Sequence, residues 1–438
     1  MSRLVTIITL IGATTLAASA CGAGAGDLSA SKERELSRRL EALWSEVGLL
    51  REDAPRRRLE TQRAAEIRAL VGDVLADADT RAGLLENTAV SGYDRGFFIA
   101  SADGNFRLRI NGRLQYRLVY NHQDDGGEDD DRWGFENRRF RMSFRGHVFD
   151  PSWRYKIGGA FDRDGGVFET SDVYLEKDLG DGWAVRAGQF KGPFLREFLQ
   201  SAFRQLAADR SLVHAAFGQG RSDGVQLSRE GERVAFFLLA GDGFGNDDTA
   251  ALEEETEFAL TGRIEWLAAG DWKQFRDYTS WSDEGFALML GAAAHYEKDE
   301  YGTVAGPEEE TFTWTIDVGA EFGGAGCFAA LVGRHLDVAG RDQYGLVVQG
   351  NVFLSPDEWE CFARYAWGDD DRPGDELSVL TVGLNRYFSG HDLKLTIDLG
   401  YAFNAVGDLW ASSGAGWRAD ASARDGQTVL RTQFQLLF

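Results

Sequence analysis

Two hydrophobic periods divide this chain. Between residues 31 and 54, Leu36, Leu40, Leu43, Val47, Leu50 and Ala54 recur at alternating spacings of four and three, with charged residues between them. That is the a/d seam of a helical coiled coil. Pro55 interrupts it, because proline has no amide hydrogen to donate inside a helix. A second helical stretch follows, with Leu59, Ile67, Leu70 and Val74. A helical segment over residues 28–90 is therefore predicted, self-associating through the seam or lying as a single amphipathic helix on the rest of the chain.

From about residue 95 the period drops to two. "NFRLRINGRLQYRLVYN" (105–121) places Phe106, Leu108, Ile110, Leu114, Tyr116, Leu118 and Tyr120 on one side of a strand. Arg107, Arg109, Arg113 and Arg117 fall on the other. The alternation marks strands at 105–121, 135–149, 152–163, 167–179, 182–191, 222–229, 232–241 and 255–266. It continues at 285–296, 311–322, 326–335, 343–355, 358–368, 376–388, 392–404 and 426–438. Lengths near ten and an even count predict an all-β fold, a sixteen-stranded antiparallel transmembrane barrel over 95–438.

The connections agree. "FDPS", "GD", "EG", "GGA", "SPD" and "SGH" make tight turns at one end, expected to be periplasmic. The other end carries "HQDDGGEDDDRW", the long segment 192–221 and four further long loops. One connection at the tight end, 267–284, is long, and its Trp272, Phe275, Tyr278 and Trp281 are expected at the membrane interface. The chain ends "TVLRTQFQLLF", with Leu430, Phe434, Leu436 and Phe438 on one parity. That ending resembles the insertion signature of outer-membrane proteins.

The N-terminus changes the picture only in compartment. "MSRLVTIITLIGATTLAASA" (1–20) has one charge, an apolar stretch and a small-x-small ending, which predicts a signal peptide. Cys21 follows directly, so its lipidation stands as the alternative to ordinary cleavage; the residue three before it is Ala18 rather than leucine. Cys327 and Cys361 fall two strands apart, about 10 Å laterally, whereas a disulfide needs Cα atoms within about 7 Å. Both are expected to be free thiols.

Charge then supplies the candidate chemistry. The chain holds 70 Asp+Glu against 47 Lys+Arg, a net charge of -23, which argues against a nucleic-acid partner. Yet strand two alternates Phe140, Met142 and Phe144 with Arg139, Arg141, Arg145 and His147, and strand three adds Arg154 and Lys156. Charge on a lipid-facing parity is costly, so these cations must line the lumen, where they attract anions. The same parity turns Asp172, Glu176, Glu257, Glu265, Asp317, Glu321 and Glu360 inward. Acids opposite cations make a transverse field, the mark of a general porin, and this alternative stays open. Segment 192–221 is too long and apolar for a free loop, so it is expected to fold inward and set a constriction with Arg196, Arg204, Arg210 and Arg221.

Other chemistry is excluded. The six histidines show no metal-ligand spacing, no nucleophile elbow occurs, and no cofactor or catalytic residue is assigned. The acidic runs at 124–131 and 368–371 read as solvated loop faces rather than cation bridges to lipopolysaccharide.

Several stretches resemble the phosphate-selective porin O and P family: "GFENRRFRMSFRGHVFDPSWRYKIGGAFD", "VRAGQFKGPF", "DRSLVHAAFGQGRSDGVQLS", "FARYAWGD", "VLTVGLNRYFSGHDLKLTIDLGY" and "LRTQFQLLF". The resemblance implies a homotrimeric porin whose third extracellular loop enters the pore beside an arginine-rich anion path. Arg107, Arg109, Arg113, Arg139, Arg141, Arg145 and Lys191 match the family's basic strand positions by region. The expectation is a passive outer-membrane channel for small anions, phosphate among them, embedded in lipid and lipopolysaccharide. The alternatives are the general porin and a structural tether through the coiled coil, with its N-terminal segment in the periplasm.

Overall fold

The computed structural model describes residues 89–438 except 125–128, 164, 244–255, 300–308, 373–374 and 421–425, together with isolated positions 38, 39, 41, 42 and 69. The expected signal peptide, Cys21 and the heptad seam lie outside the described residues. The chain divides into Met1–Glu86 and Asn87–Phe438, and the second unit is described here.

A short hairpin comes first, β1 (Val90–Tyr93) and β2 (Phe97–Ala100). The long strands follow: β3 (Arg107–Asp124), β4 (Asp129–Val148), β5 (Asp150–Phe161), β6 (Phe168–Gly180), β7 (Trp183–Lys191) and β8 (Arg221–Glu230). Then come β9 (Val234–Gly241), β10 (Thr256–Ala269), β11 (Ala287–Asp299), β12 (Glu309–Glu321) and β13 (Ala325–Leu336). The last are β14 (Arg341–Ser355), β15 (Trp359–Asp369), β16 (Leu377–Ser389), β17 (Leu393–Ala402) and β18 (Thr428–Leu437). From β3 onward each strand pairs antiparallel with the next, and β18 returns to β3 from Thr428 opposite His122 to Leu437 opposite Arg113. The sheet is a closed sixteen-stranded antiparallel barrel. All sixteen strands expected from the alternation are present, with ends moved by a few residues.

Closure rests on the last residue. Gly112 and Phe438 exchange both backbone hydrogen bonds, at 2.9 and 3.0 Å. The Phe438 ring lies where a side chain at 112 would begin, 2.3 Å from a Cβ built there. A side chain at 112 would require the Phe438 ring to shift.

Burial is inverted relative to a soluble protein. Ile157, Ile264, Ile316, Leu384, Leu399 and Phe434 are exposed on the outer face, while Gln115, Thr261, Thr313, Gln349, Thr381 and Gln433 are buried inside. That is the pattern of a barrel whose apolar parity meets lipid. Among the described residues no helix is long and apolar enough to cross a membrane. Cys327 is exposed on the outer face, Cys361 is half-buried, and both are free thiols.

Three features depart from the expectation. The β1–β2 hairpin was not signalled, because four-residue runs between Gly and Asp are too short to show a period; β2 pairs with Arg107–Ile110 of β3, beyond the reach of β18. The acidic first loop is mostly strand, since the hydrogen-bond ladder of β3 and β4 continues to Asp124 opposite Asp129. The 270–286 connection does not anchor its aromatics at an interface. Phe275 and Tyr278 are buried, Tyr278 against Phe328 and Leu206, and the Trp281 ring centroid lies 5.1 Å from that of Tyr387. Apolar surface inside the barrel competes for these rings and wins.

Candidate conducting path

Residues 192–220 enter the barrel. They form α1 (Arg196–Leu199), a 3-10 turn (Ala202–Arg204) and α2 (Leu212–Phe217). Ser211 starts α2 by accepting from the His214 amide at 3.0 Å. The period of this segment gives it one apolar face. Phe194, Leu195, Phe198, Leu212, Val213 and Phe217 bury that face against Ala293, Val332, Val347, Ala366, Val379, Ala402 and Val429, which are inward residues of β11 and β13–β18. Trp410 and Trp417, from the connection between β17 and β18, join the same cluster. This half of the lumen is solid.

Polar contacts then bolt the segment across the lumen. Gln435 and Gln115 donate to the Phe203 and Ala202 carbonyls at 2.9 and 3.2 Å. Lys394 donates to the Gln205 carbonyl, and Asp398 accepts from the Ala208 amide, both at 2.8 Å. The Asp209 carboxylate accepts from Arg117 at 3.1 Å, Arg138 at 2.6 Å and Arg139 at 2.6 Å. Its main-chain oxygen accepts from Arg364 of β15 at 2.8 Å.

These contacts locate several of the expected pore residues. Arg117 is buried and shared between Asp209 and Glu136, the latter at 2.6 Å. Arg139 is buried between Asp209 and Gln115. Arg210 turns back onto the Glu197 and Gln200 carbonyls at 2.8 Å, and Lys191 donates to the Phe198 and Gln200 carbonyls. The Arg117, Arg139 and Arg210 head groups hold the inward segment instead of standing in open lumen, while Lys191 holds it from the cavity wall. Arg107 and Arg109 meet the Asp94 carboxylate at the tip of the β1–β2 hairpin, Arg107 at 2.9 Å.

The open side lies against β3–β8, as a cavity of about 970 Å³. Several of its cations are paired: Lys156 and Arg221 with Asp172 at 2.7 and 3.3 Å, and Arg154 and Arg186 with Glu176 at 3.2 and 2.5 Å. Arg196 pairs with Glu265 at 2.9 Å. Beside them are cations of a different kind. Arg113, Arg141, Arg145 and Arg204 form no ion pair with any described residue, and the Nε atoms of Arg141 and Arg145 are buried without a hydrogen-bond partner among them. Arg113 sits directly opposite Arg141, Arg109 opposite Arg145, and Arg145 opposite Lys156. The Arg113 guanidinium lies 5.8 Å from the centroid of the Phe203 ring. Like charges facing each other across a ladder are destabilising.

The inward acids make no bare wall opposite. Asp317 is bidentate to Arg263 at 2.8 and 3.0 Å. Glu360 is buried under Asn351, Asn385 and Tyr387 at 2.7, 2.8 and 2.6 Å. Glu321 lies beside Gln274, at 3.4 Å. The Glu257 side chain lies outside the described ones.

Strict parity missed two wall cations. Arg138 turns inward with Arg139 because the ladder shifts register between Gln115 and Tyr116, which pair with Arg139 and Asn137. Arg186 and Lys191 have opposite parity yet both line the cavity, with Gly188 at φ 120° between them. An adjacent Arg-Arg pair and a glycine within a strand were the available signals.

A closed sixteen-stranded barrel with an inward third connection and a polar lumen is the architecture of outer-membrane porins. Residues 108–299 match the family model of the phosphate-selective porin O and P family, the family that the sequence motifs resemble. The chain is 24% identical over 314 residues to an uncharacterized protein of Aquifex aeolicus, covering 66% of this chain and 68% of that one. Among solved structures, the anion-selective porin of Comamonas acidovorans superposes with a TM-score of 0.53 at 14% identity, covering 76% of this chain and 99% of the other. OmpT, an outer membrane protein of Vibrio cholerae, gives 0.50 at 14% identity, covering 79% and 99%. At such identities the likeness is one of fold.

Proposed function

We propose that this barrel is a passive channel for small anions, phosphate-sized oxyanions among them, and that it catalyses no reaction. The observation that carries the reading is the cluster of Arg113, Arg141, Arg145 and Arg204, of which Arg113 and Arg141 line the open cavity and none has a carboxylate partner among the described residues. Guanidinium groups stay charged when crowded and bind carboxylate or phosphate oxygens in pairs. They replace part of the water an anion sheds at a constriction. Phosphate itself is what the family resemblance implies, as is assembly into a homotrimer. The paired cations of the cavity favour a second reading, a general porin with weak selectivity. We take the tight-turn end as periplasmic and the heptad segment as lying there.

The test is the reversal potential of the purified protein in a planar bilayer under a KCl gradient, followed by phosphate as a blocker. An anion-selective potential and phosphate block support the reading. A potential near zero supports the general porin, and a cation-selective one overturns both.

A further inference from the structure

An acid sits inside the cationic path, and its place there is not that of a pore charge. Asp209 is 4% exposed. Its two carboxylate oxygens accept from three guanidiniums of β3 and β4, while its backbone oxygen is held by Arg364 from β15. It is the residue at which the inward segment is tied to two separate stretches of wall at once. It also lies between the turn carrying Arg204 and the helix α2, whose burial defines the solid half.

We infer that Asp209 is a positioning residue that sets the width and selectivity of the path. The inference rests on the channel reading above, yet its physical content is separate. Three guanidiniums converge on one carboxylate because a charged acceptor with two oxygens can satisfy them. An amide of the same shape offers one acceptor oxygen and turns an NH2 donor toward a guanidinium. Asp209→Asn therefore leaves Arg117, Arg138 and Arg139 repelling one another at the point where the segment crosses the lumen. The segment loses its charged tie to β3 and β4, and Arg204 no longer stays close to Arg113 and Arg145.

The two possible roles predict opposite signs. If Asp209 acted only as a negative charge near the path, removing it would strengthen anion preference at unchanged conductance. If it positions the segment, removing it widens the path: conductance rises, larger polyethylene glycols enter, and the reversal potential moves toward zero.

The experiment measures single-channel conductance, polyethylene glycol exclusion and reversal potential for the full chain and for Asp209→Asn, Asp209→Glu and Arg364→Gln in planar bilayers. Expected are a gain in conductance and exclusion size for Asp209→Asn, near-native behaviour for Asp209→Glu, and a smaller shift in the same direction for Arg364→Gln. Unchanged exclusion with stronger anion preference in Asp209→Asn overturns the inference. Should that variant give no heat-modifiable barrel, Arg364→Gln decides, and native conductance there overturns it. A native channel without anion preference defeats the functional reading alone, because conductance and exclusion still report the positioning.

Discussion

The inner wall of the barrel is two surfaces made by one kind of strand. On β11–β18 it carries small and branched apolar residues such as Ala293, Val332, Val347 and Val379, with buried charges held in pairs, as Arg431 with Asp398 at 2.7 Å, or on polar and backbone groups, as Glu360 and Lys394. On β3–β8 it carries Arg113, Arg141, Arg154 and Lys156 beside open space. The first surface is complementary to a protein segment, and 192–220 fills it. The second is complementary to mobile ions in water, and none of the described residues fills it. Where a wall is apolar it recruits the chain's own loops, so the placement of the pore follows from which half of the wall stays charged.

Breaking the solid half should have the largest effect. Arg431 and Asp398 are both fully buried, and Asp398 also holds the Ala208 amide. Asp398→Ala leaves a guanidinium buried and uncompensated, which costs about 3–5 kcal/mol. The expected outcome is a clear drop in the denaturant midpoint of the refolded barrel, together with raised conductance as the segment loosens. A stable barrel with native conductance would mean that apolar packing alone holds the segment. Next in size is a reversal in the open half. A unit charge acting on an ion at 4 Å is worth about 1 kcal/mol even at the dielectric of bulk water, and reversal doubles that. Arg141→Glu should therefore lower the anion-to-cation permeability ratio by at least roughly tenfold, since each 1.4 kcal/mol is a factor of ten. Phosphate block should weaken with it in the same bilayer measurement.

Much of this contrast was legible as alternation. Arg107, Arg109, Arg113 and Arg117 share a parity, and parity correctly separates inside from outside. It cannot separate a lumen cation from a buried clamp. Arg113 and Arg117 are one strand turn apart in sequence and equal in pattern, yet one faces the cavity and the other is fully buried against Asp209 and Glu136. The difference is made by contacts ninety residues away, which local periodicity does not encode. The same holds for Trp410 and Trp417: their loop reads as a long polar excursion, and only the apolar wall opposite shows why both rings are buried. Arg138 was hidden for a local reason, since one shifted ladder position reverses the facing of a residue.

A smaller effect sharpens the comparison within the open half. Arg154 lies on the cavity but is shared between Glu176 and Asp178, and Glu176 also pairs with Arg186. Arg154→Gln leaves Glu176 paired and loses the partner of Asp178, near the turn that ends β6. The expected shift in reversal potential is a minor fraction of that for Arg141→Glu, with phosphate block nearly native. An equal shift in the two variants would place selectivity at the paired cations instead of at the unpaired cluster.

The smallest effect is expected at the long-loop end. Asp130, near the start of β4, is paired with Arg418 and with Arg132, the latter at 3.2 Å, and these partners sit at the rim. Hydrogen bonds from Arg418 and Arg132 hold its carboxyl below the usual carboxylate range, so it is ionised at neutral pH. Asp130→Lys turns a rim anion into a cation and sets it against two arginines. Screening in physiological salt decays over about 8 Å. In the ladder, Asp130 lies opposite Gln123, ten residues along β3 from the Arg113–Arg141 pair. At about 3.3 Å per residue that separation exceeds several screening lengths. The variant should therefore leave the reversal potential near native in physiological salt and move it only at low ionic strength, where the screening length grows. If Asp130→Lys shifts selectivity in physiological salt as far as Arg141→Glu does, the filter is at the mouth, and the buried contrast between the two walls decides the shape of the path without deciding its selectivity.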